Sequence, residues 1–239
     1  EELARVDSSV AITLEAGVSL GAMPIHRFGT EEQKKTYLPR LTSGEALGAF
    51  GLTEPDGGSD AGATRTTARL EDGEWVINGT KSFITNSGTD ITALVTVTAV
   101  TGRREDGRPE ISSILVPSGT PGFSVGQKYS KVGWNASDTN ELVFEDCRVP
   151  EANLVGERGR GYAQFLRILD EGRIAIAALS VGLAQGCVDE SVRYAHQRQA
   201  FGNSIGRYQA IQFKIAEMEA RAYGARLAYY DAASRMLAG

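Results

Sequence analysis

The sequence predicts an α+β protein with an N-terminal helical segment, a middle antiparallel β domain and a C-terminal helical bundle. Three observations carry this. Residues 1–42 show helical patterning with one strong start signal. Residues 43–155 hold short β-branched runs bounded by Gly, Pro, Asn and Asp. Residues 156–239 read as two long helices, the second with apolar positions spaced alternately by three and four from Tyr208 to Met236. The order is helix, sheet, helix without βαβ alternation, so a doubly wound parallel sheet is not expected.

Composition sets the bounds. The 239 residues are 41% hydrophobic and 23% charged, enough for one large domain or two small ones with a real core. A net charge of -5 lacks the basic footprint of a nucleic-acid binder. Cys147 and Cys187 lie far apart and outside any CxxC pattern, which argues against a disulfide framework or zinc site and favours a reducing compartment. His26 and His196 have no neighbours at ligand spacing, so no metal is expected. No signal peptide is visible and no run approaches about 18 apolar residues, so neither a spanning helix nor a membrane partner is expected.

The first stretch, "EELARVDSSVAITLEAG", opens mid-pattern with no start signal, and the last, "YYDAASRMLAG", closes inside a helical pattern. Both ends read as cut, with N-terminal helices and a C-terminal part expected beyond them. In "GTEEQKKTYLPRL", Thr30 and Gln33 form a capping box, and Pro39 is expected to end the helix. The strand runs are "EWVING", "KSFIT", "ITALVTVTAV", "ISSILVP", "GFSVG" and "NELVFEDCRVP". Val95 and Val97 alternate with Thr96 and Thr98, which predicts one buried face and one more polar face. "VTGRREDGRPE" reads as an exposed charged loop.

Two long helices follow. The second carries Tyr208, Ile211, Ile215, Met218, Ala222, Ala225, Tyr229, Ala232 and Met236, a seam for near-parallel packing. A helix over 205–238 would span about 50 Å. Its alanines and the Gly-rich helix before it favour a compact bundle over a solitary coiled coil.

The segment with most chemistry is "GAFGLTEPDGGSD", Gly48 to Asp60. No GxGxxG follows a strand, "GERGRG" has the wrong order, and no GxxxxGK[ST] occurs. Gly57 and Gly58 leave amides able to meet phosphate or carbonyl oxygens, and Thr53 offers a hydroxyl at a strand end. Ser59 and Asp60 suit a helix cap or a ligand contact. Taken alone, the segment also reads as a Pro-Gly turn with an Asx cap, the commoner meaning of such residues.

Its context adds specificity. "GLTEPDGGSDAGA", "WVINGTKSFITN", "KVGWNASDTNELVFEDCRVPEANLVGERGRGY", "DEGRIAIAALSVGLAQG" and "RQAFGNSIGRYQAIQFKIAEM" occur in that order. Together they resemble the acyl-CoA dehydrogenase family over essentially the whole chain, with "LDEGRIAIA" somewhat like its short-chain members. The resemblance implies the same three-part fold and an FAD cofactor. Phe50, Leu52, Thr53, Gly58 and Ser59 would line the isoalloxazine and pyrophosphate, with Thr53 hydrogen-bonded to the ring. Phe83, Ile84 and Thr85 would sit behind the flavin, Thr85 near N5; many relatives have Trp where Phe83 stands. Ser59, Asp170 and Arg173 would contact the acyl-CoA. Arg198, Phe201 and Gln209 would reach FAD held largely by a neighbouring subunit of a homotetramer. Each has a plainer reading. Arg198 closes a helix, where a cation suits the dipole. Phe201 staples a turn, with Gly202 as C-cap. Thr85 is a strand residue. Asp170 and Arg173 are an i, i+3 pair.

The family reaction removes an α-proton and a β-hydride from an acyl-CoA thioester, giving a trans-2-enoyl-CoA and passing electrons to an electron-transfer flavoprotein. Most members place the glutamate base downstream of the segment resembling "RQAFG". A minority place it just before the Arg of "DEGR", where this sequence has Gly172; Glu171 lies about 100° round the helix. No base is therefore assigned within these residues, and the glutamate is expected beyond Gly239, as is a second glycine-rich FAD segment. The alternatives are an acyl-CoA oxidase or another flavin oxidase or monooxygenase of the same fold, and a non-catalytic FAD- or CoA-binding subunit. The implied location is the bacterial cytoplasm or the mitochondrial matrix.

Overall fold

The structure, a computed structural model, describes residues 1–238. It begins with α1 (Glu2–Val6) and α2 (Ser8–Glu15), a π-helical stretch Ala16–Ala22, α3 (Met23–Phe28) and α4 (Glu31–Thr42). The β region holds β1 (Leu47–Gly51), β2 (Thr67–Glu71), β3 (Glu74–Thr85), β4 (Thr92–Arg103), β5 (Pro109–Pro117), β6 (Phe123–Lys128), β7 (Thr139–Pro150) and β8 (Leu154–Val155). Then come α5 (Gly161–Gln197), a hairpin of β9 (Gln199–Ala200) and β10 (Asn203–Ser204), and α6 (Gln209–Ala238). Contacts divide the chain into two compact units: Thr13–Gly172, and Glu1–Ile12 with the residues from Arg173 on.

In the first unit the sheet runs β6-β7-β3-β2-β4-β5-β8, and β1 pairs with β4. Most pairs are antiparallel, as expected. β1 and β2 instead meet the same edge of β4 in parallel, β1 along Thr92–Val97 and β2 at Val100. β2 and this parallel edge lie outside the strands read from sequence. One core joins Trp75, Ile77, Val95, Val97, Ile114, Leu142 and Phe144. A second joins Ile25 of α3 to Leu94, Leu115 and Val155.

β4 corrects one expectation. Thr96 and Thr98 are as buried as Val95 and Val97. Leu94, on the threonine face, packs under α3, so both faces of the strand are covered.

The Thr30–Gln33 capping box forms in both directions. Pro39, however, sits inside α4 instead of ending it. The Thr42 hydroxyl donates to the Leu38 carbonyl and the Ser43 amide to that of Pro39, so the helix closes one turn later. α6 also starts later than expected, because Ile205–Arg207 form a separate 3₁₀ turn.

The π-helical stretch has a local cause. The Asn86 amide donates to the Thr13 carbonyl at 2.9 Å, an oxygen that an α-helix would give to residue 17. Beyond it, Gly21 lies on Gly48 of β1. A Cβ on Gly21 would fall 2.5 Å from the Gly48 carbonyl oxygen, so only glycine permits this approach.

In the second unit α1 crosses α5 at two glycines one turn apart. A Cβ on Gly182 would fall 2.9 Å from that of Ala4, and one on Gly186 would fall 2.4 Å from the Arg5 carbonyl oxygen. Arg5 pairs with Asp189 at 2.6 Å, and Arg226 with Glu1 at 2.8 Å.

Two helical stretches, Ser8–Phe28 and Gly161–Gln197, are long and apolar enough by length and composition to cross a membrane. The sequence reading missed them because Glu15, Arg27 and the charges at 167–173 interrupt the apolar runs while the helices continue.

Gly21→Ala should lower the stability of the chain by about 1–3 kcal/mol, the usual cost of overpacking. Urea unfolding measures it. A midpoint within error of wild type would mean that the helix moves off β1 at no cost.

Candidate flavin pocket

The cavity of interest opens where the edge of β4 changes partner. β1 leaves that edge at Gly51, opposite Val97, and β2 joins it at Thr67, opposite Val100. The intervening chain contains Thr53 to Asp60. Across from it, β3 is irregular: its register against β7 shifts between Lys81 and Ile84, and Phe83 takes φ 60. A left-handed conformation at a bulky residue costs about 1–2 kcal/mol. It turns Phe83 outward, 62% exposed, to stack on Tyr129 with centroids 4.5 Å apart.

Phe50, Leu52, Thr53, Phe83, Ile84 and Thr85 line one cavity of about 140 Å³. Ala16 and Leu20 of the π-helical stretch and Phe165 and Leu169 of α5 complete its wall. Phe165 stacks on Phe50 with centroids 5.2 Å apart. The walls are apolar and aromatic. The Thr53 and Thr85 hydroxyls have no hydrogen-bond partner among the described residues. This donor and acceptor set suits the edge of a planar heteroaromatic ring.

Gly58 and Ser59 lie outside this lining, on an exposed turn. Gly57 differs from expectation: its amide donates to the Glu54 carbonyl at 3.1 Å, and the Glu54 amide to the Gly57 carbonyl at 2.9 Å. The turn reading holds there, because the chain must reverse before reaching β2. Asp60 caps the short 3₁₀ turn Ala61–Ala63 without a side-chain bond.

Asp170 is exposed on α5, directly after Leu169. Glu171 turns to Arg27 and forms an ion pair with it at 2.5 Å. Beside Gly172 there is room: the nearest atom to an added Cβ is a Glu15 carboxylate oxygen at 3.7 Å. Burial raises the Glu15 carboxyl above its ordinary value against a hydrogen bond from Ser19.

In the second unit, Arg173 lies exposed on α5 and Arg198 just past its end. The Arg198 amide donates to the Tyr194 carbonyl, continuing the helical ladder. Phe201 neither staples a helix nor precedes a C-cap. With Gly202 it forms the turn of the β9–β10 hairpin, at φ 52 and 77, and its ring is 95% exposed. Gln209 opens α6, also exposed.

Two residues escaped the sequence reading. Lys81 has no exposed surface and Glu54 only 6%. The ammonium donates to Glu54 Oε1 at 2.7 Å, the Leu52 carbonyl at 3.1 Å and Thr98 Oγ1 at 3.2 Å. Glu54 also accepts the Arg65 and Thr66 amides. The available signal was period: Ile77, Gly79 and Lys81 share one strand face, so a charge there must be buried and paired. Burial pushes Lys81 down to about 8, against the pull of Glu54. Burial would raise Glu54, but the Lys81 charge and the amide bonds outweigh it and hold the carboxyl below 4.5.

Comparison with known proteins fits this geometry. The profiles of the acyl-CoA dehydrogenase N-terminal, middle and C-terminal domains match residues 1–45, 49–147 and 159–239. A probable acyl-CoA dehydrogenase of Bacillus subtilis, YngJ, is 51% identical over 91% of this chain and 57% of its own. The short-chain specific acyl-CoA dehydrogenase of Megasphaera elsdenii is 44% identical over 100% of this chain and 62% of its own. Butyryl-CoA dehydrogenase from Megasphaera elsdenii superposes with TM-score 0.93 at 43% identity, over 98% of this chain and 61% of that one. A chain solved with the electron transferring flavoprotein of Acidaminococcus fermentans as its subject gives 0.92 at 44%, over 97% and 60%. An acyl-CoA dehydrogenase complexed with FAD from Bacillus anthracis gives 0.89 at 41%, over 95% and 39%. The chain belongs to the acyl-CoA dehydrogenase family. It spans about three fifths of the length of the curated relatives it matches.

The pair gives stability a signed pH dependence. Glu54 contributes above its ordinary range, and that contribution is lost as pH falls below 4.5. Lys81 acts on the other side: from pH about 8 to 10.5 the unfolded chain holds a proton the folded chain has released, so this group adds stability as pH rises. Urea midpoints across pH should fall on the acid limb. Glu54→Gln should start lower throughout and show a shallower acid limb; an acid limb as steep as wild type would assign it to other carboxylates.

Proposed function

We propose that this chain carries the flavin- and CoA-facing part of an FAD-dependent dehydrogenase acting on short acyl-CoA thioesters. The observation that carries the reading is the cavity at the β4 edge, apolar-walled with two unpaired threonine hydroxyls. When bound, FAD supplies the two-electron chemistry that no side chain offers. Phe50, Leu52, Phe83 and Ile84 exclude water from the ring, and the Thr53 and Thr85 hydroxyls orient it. Gly58 and Ser59, on the exposed turn, face its anionic tail. Ser59, Asp170 and Arg173 receive the CoA thioester. Arg198, Phe201 and Gln209 reach the flavin of a neighbouring subunit in a homotetramer; the Phe201 ring supports this, since it stays 95% exposed at positive φ with one edge-on contact to Tyr208 at 6.3 Å.

The α-proton needs a desolvated carboxylate. Gly172 has no side chain and Glu171 is held by Arg27, so neither serves as the base, which the family resemblance puts on a glutamate outside these residues. Electrons leave to an electron-transfer flavoprotein, in the bacterial cytoplasm or mitochondrial matrix.

Anaerobic titration of the FAD-loaded protein with acyl-CoAs of increasing length tests the reading. Bleaching of the visible flavin band, strongest with short chains, is expected; a yellow protein that no acyl-CoA bleaches would overturn it. Thr85→Ala should weaken FAD retention or slow bleaching, and unchanged values would remove Thr85 from the site. Arg198→Ala should release FAD or loosen the oligomer. If both survive intact, Arg198 serves only its helix end.

A further inference from the structure

We propose that Lys81 and Glu54 are positioning residues of the flavin pocket: their buried pair fixes the Leu52–Thr53–Glu54 strand end at the spacing from the Phe83–Thr85 corner that the ring requires. This rests on the flavin reading above.

The argument begins with hydrogen bonds. Residues 52, 53 and 54 are each tied to the start of the β3 corner. Leu52 gives its carbonyl to the Lys81 ammonium, Thr53 its carbonyl to the Ser82 amide at 2.8 Å, and Glu54 its carboxylate to Lys81. Phe83 follows directly and turns left-handed, bringing Ile84 and Thr85 to the cavity. The two unpaired hydroxyls, of Thr53 and Thr85, therefore hang from one rigid knot. Lys81 joins this knot to β4 through Thr98, whose hydroxyl in turn donates to the Gly51 carbonyl at 3.3 Å, and Thr66 joins it further along, its amide donating to Glu54 and its carbonyl accepting the Val100 amide at 2.8 Å.

The choice of a charged pair is informative. Buried ion pairs are weak evidence for stability, since apolar residues of similar volume often serve as well. An apolar pair here would fill the space but leave the Leu52 carbonyl and the Arg65 and Thr66 amides without partners. Those groups set where the chain enters and leaves the pocket loop. The pair thus fixes the direction of the chain as well as satisfying these groups. No side chain in it lines the cavity, so it acts through Thr53 and the corner.

The test compares wild type with Thr98→Val, which removes one partner of Lys81 and little volume, and with the double variant Lys81→Met/Glu54→Leu. FAD affinity, the visible flavin band and the urea midpoint are measured on the full chain. Thr98→Val should weaken FAD binding about threefold to tenfold, the worth of one buried hydrogen bond, and shift the band, with a modest fall in the urea midpoint because the hydroxyl is fully buried between Lys81 and the Gly51 carbonyl. The double variant, which leaves the Leu52 carbonyl and the Arg65 and Thr66 amides unpaired, should lower the midpoint and lose FAD affinity by more than about tenfold. FAD affinity and spectrum equal to wild type in Thr98→Val overturn the positioning role, and that result decides even if the double variant fails to fold. A wild-type chain that takes up no FAD overturns the flavin reading first, and this one with it.

Discussion

A lysine ammonium sealed from solvent has three protons to place, and the local architecture follows from where Lys81 places them. One goes to a carboxylate, one to a main-chain carbonyl and one to a threonine of the neighbouring strand. Removing one member of such a pair leaves a naked buried charge and costs about 3–5 kcal/mol. The three contacts draw the end of β1, the middle of β3 and the middle of β4 to one point. The cavity lies next to that point because the sheet is incomplete there. β1 has left the edge of β4 and β2 has not yet reached it.

The helical layer closes the same region from the other side. Gly21 rests on Gly48 with no side chain between them, so the π-helical stretch lies directly against β1. Asn86 ties that stretch to the end of β3 through the Thr13 carbonyl. The irregular turn is thus held by a side chain one residue past Thr85, and Ala16 and Leu20 reach the cavity as a result. A regular helix would present a different pair of residues.

Much of the fold was legible in the sequence, for physical reasons. The capping box announced α4, because the two groups that satisfy orphan amides are visible in the text. The β-branched runs announced most strands. Motif order placed Phe50, Leu52, Thr53, Phe83, Ile84 and Thr85 in one site, and the structure brings these six together. What stayed hidden depends on tertiary partners. β2, "TARLE", carries two charges and lacks β-branched residues beyond its first, so it reads as loop until β3 pairs with it. The threonines of β4 look solvent-facing until a helical layer covers them. Lys81 looks like any strand lysine until its opposite charge, 27 positions away, is seen 2.7 Å from it. The left-handed turn at Phe83 has no sequence marker, because glycine is the usual one and is absent there.

The parallel seat of β1 on β4 also bears on how the chain is made. The hairpin of β4 and β5 closes across residues 104–108, whereas β1 must wait for a partner beyond residue 91. In chain entropy the longer closure costs about 2 kcal/mol more than the hairpin. At ribosomal speeds the delay is on the order of seconds. Throughout it, an apolar segment destined for near-complete burial has no strand to pair with. The wall of the pocket is therefore left without its strand partner longer than the β4–β5 hairpin is, and is open to a chaperone while it waits.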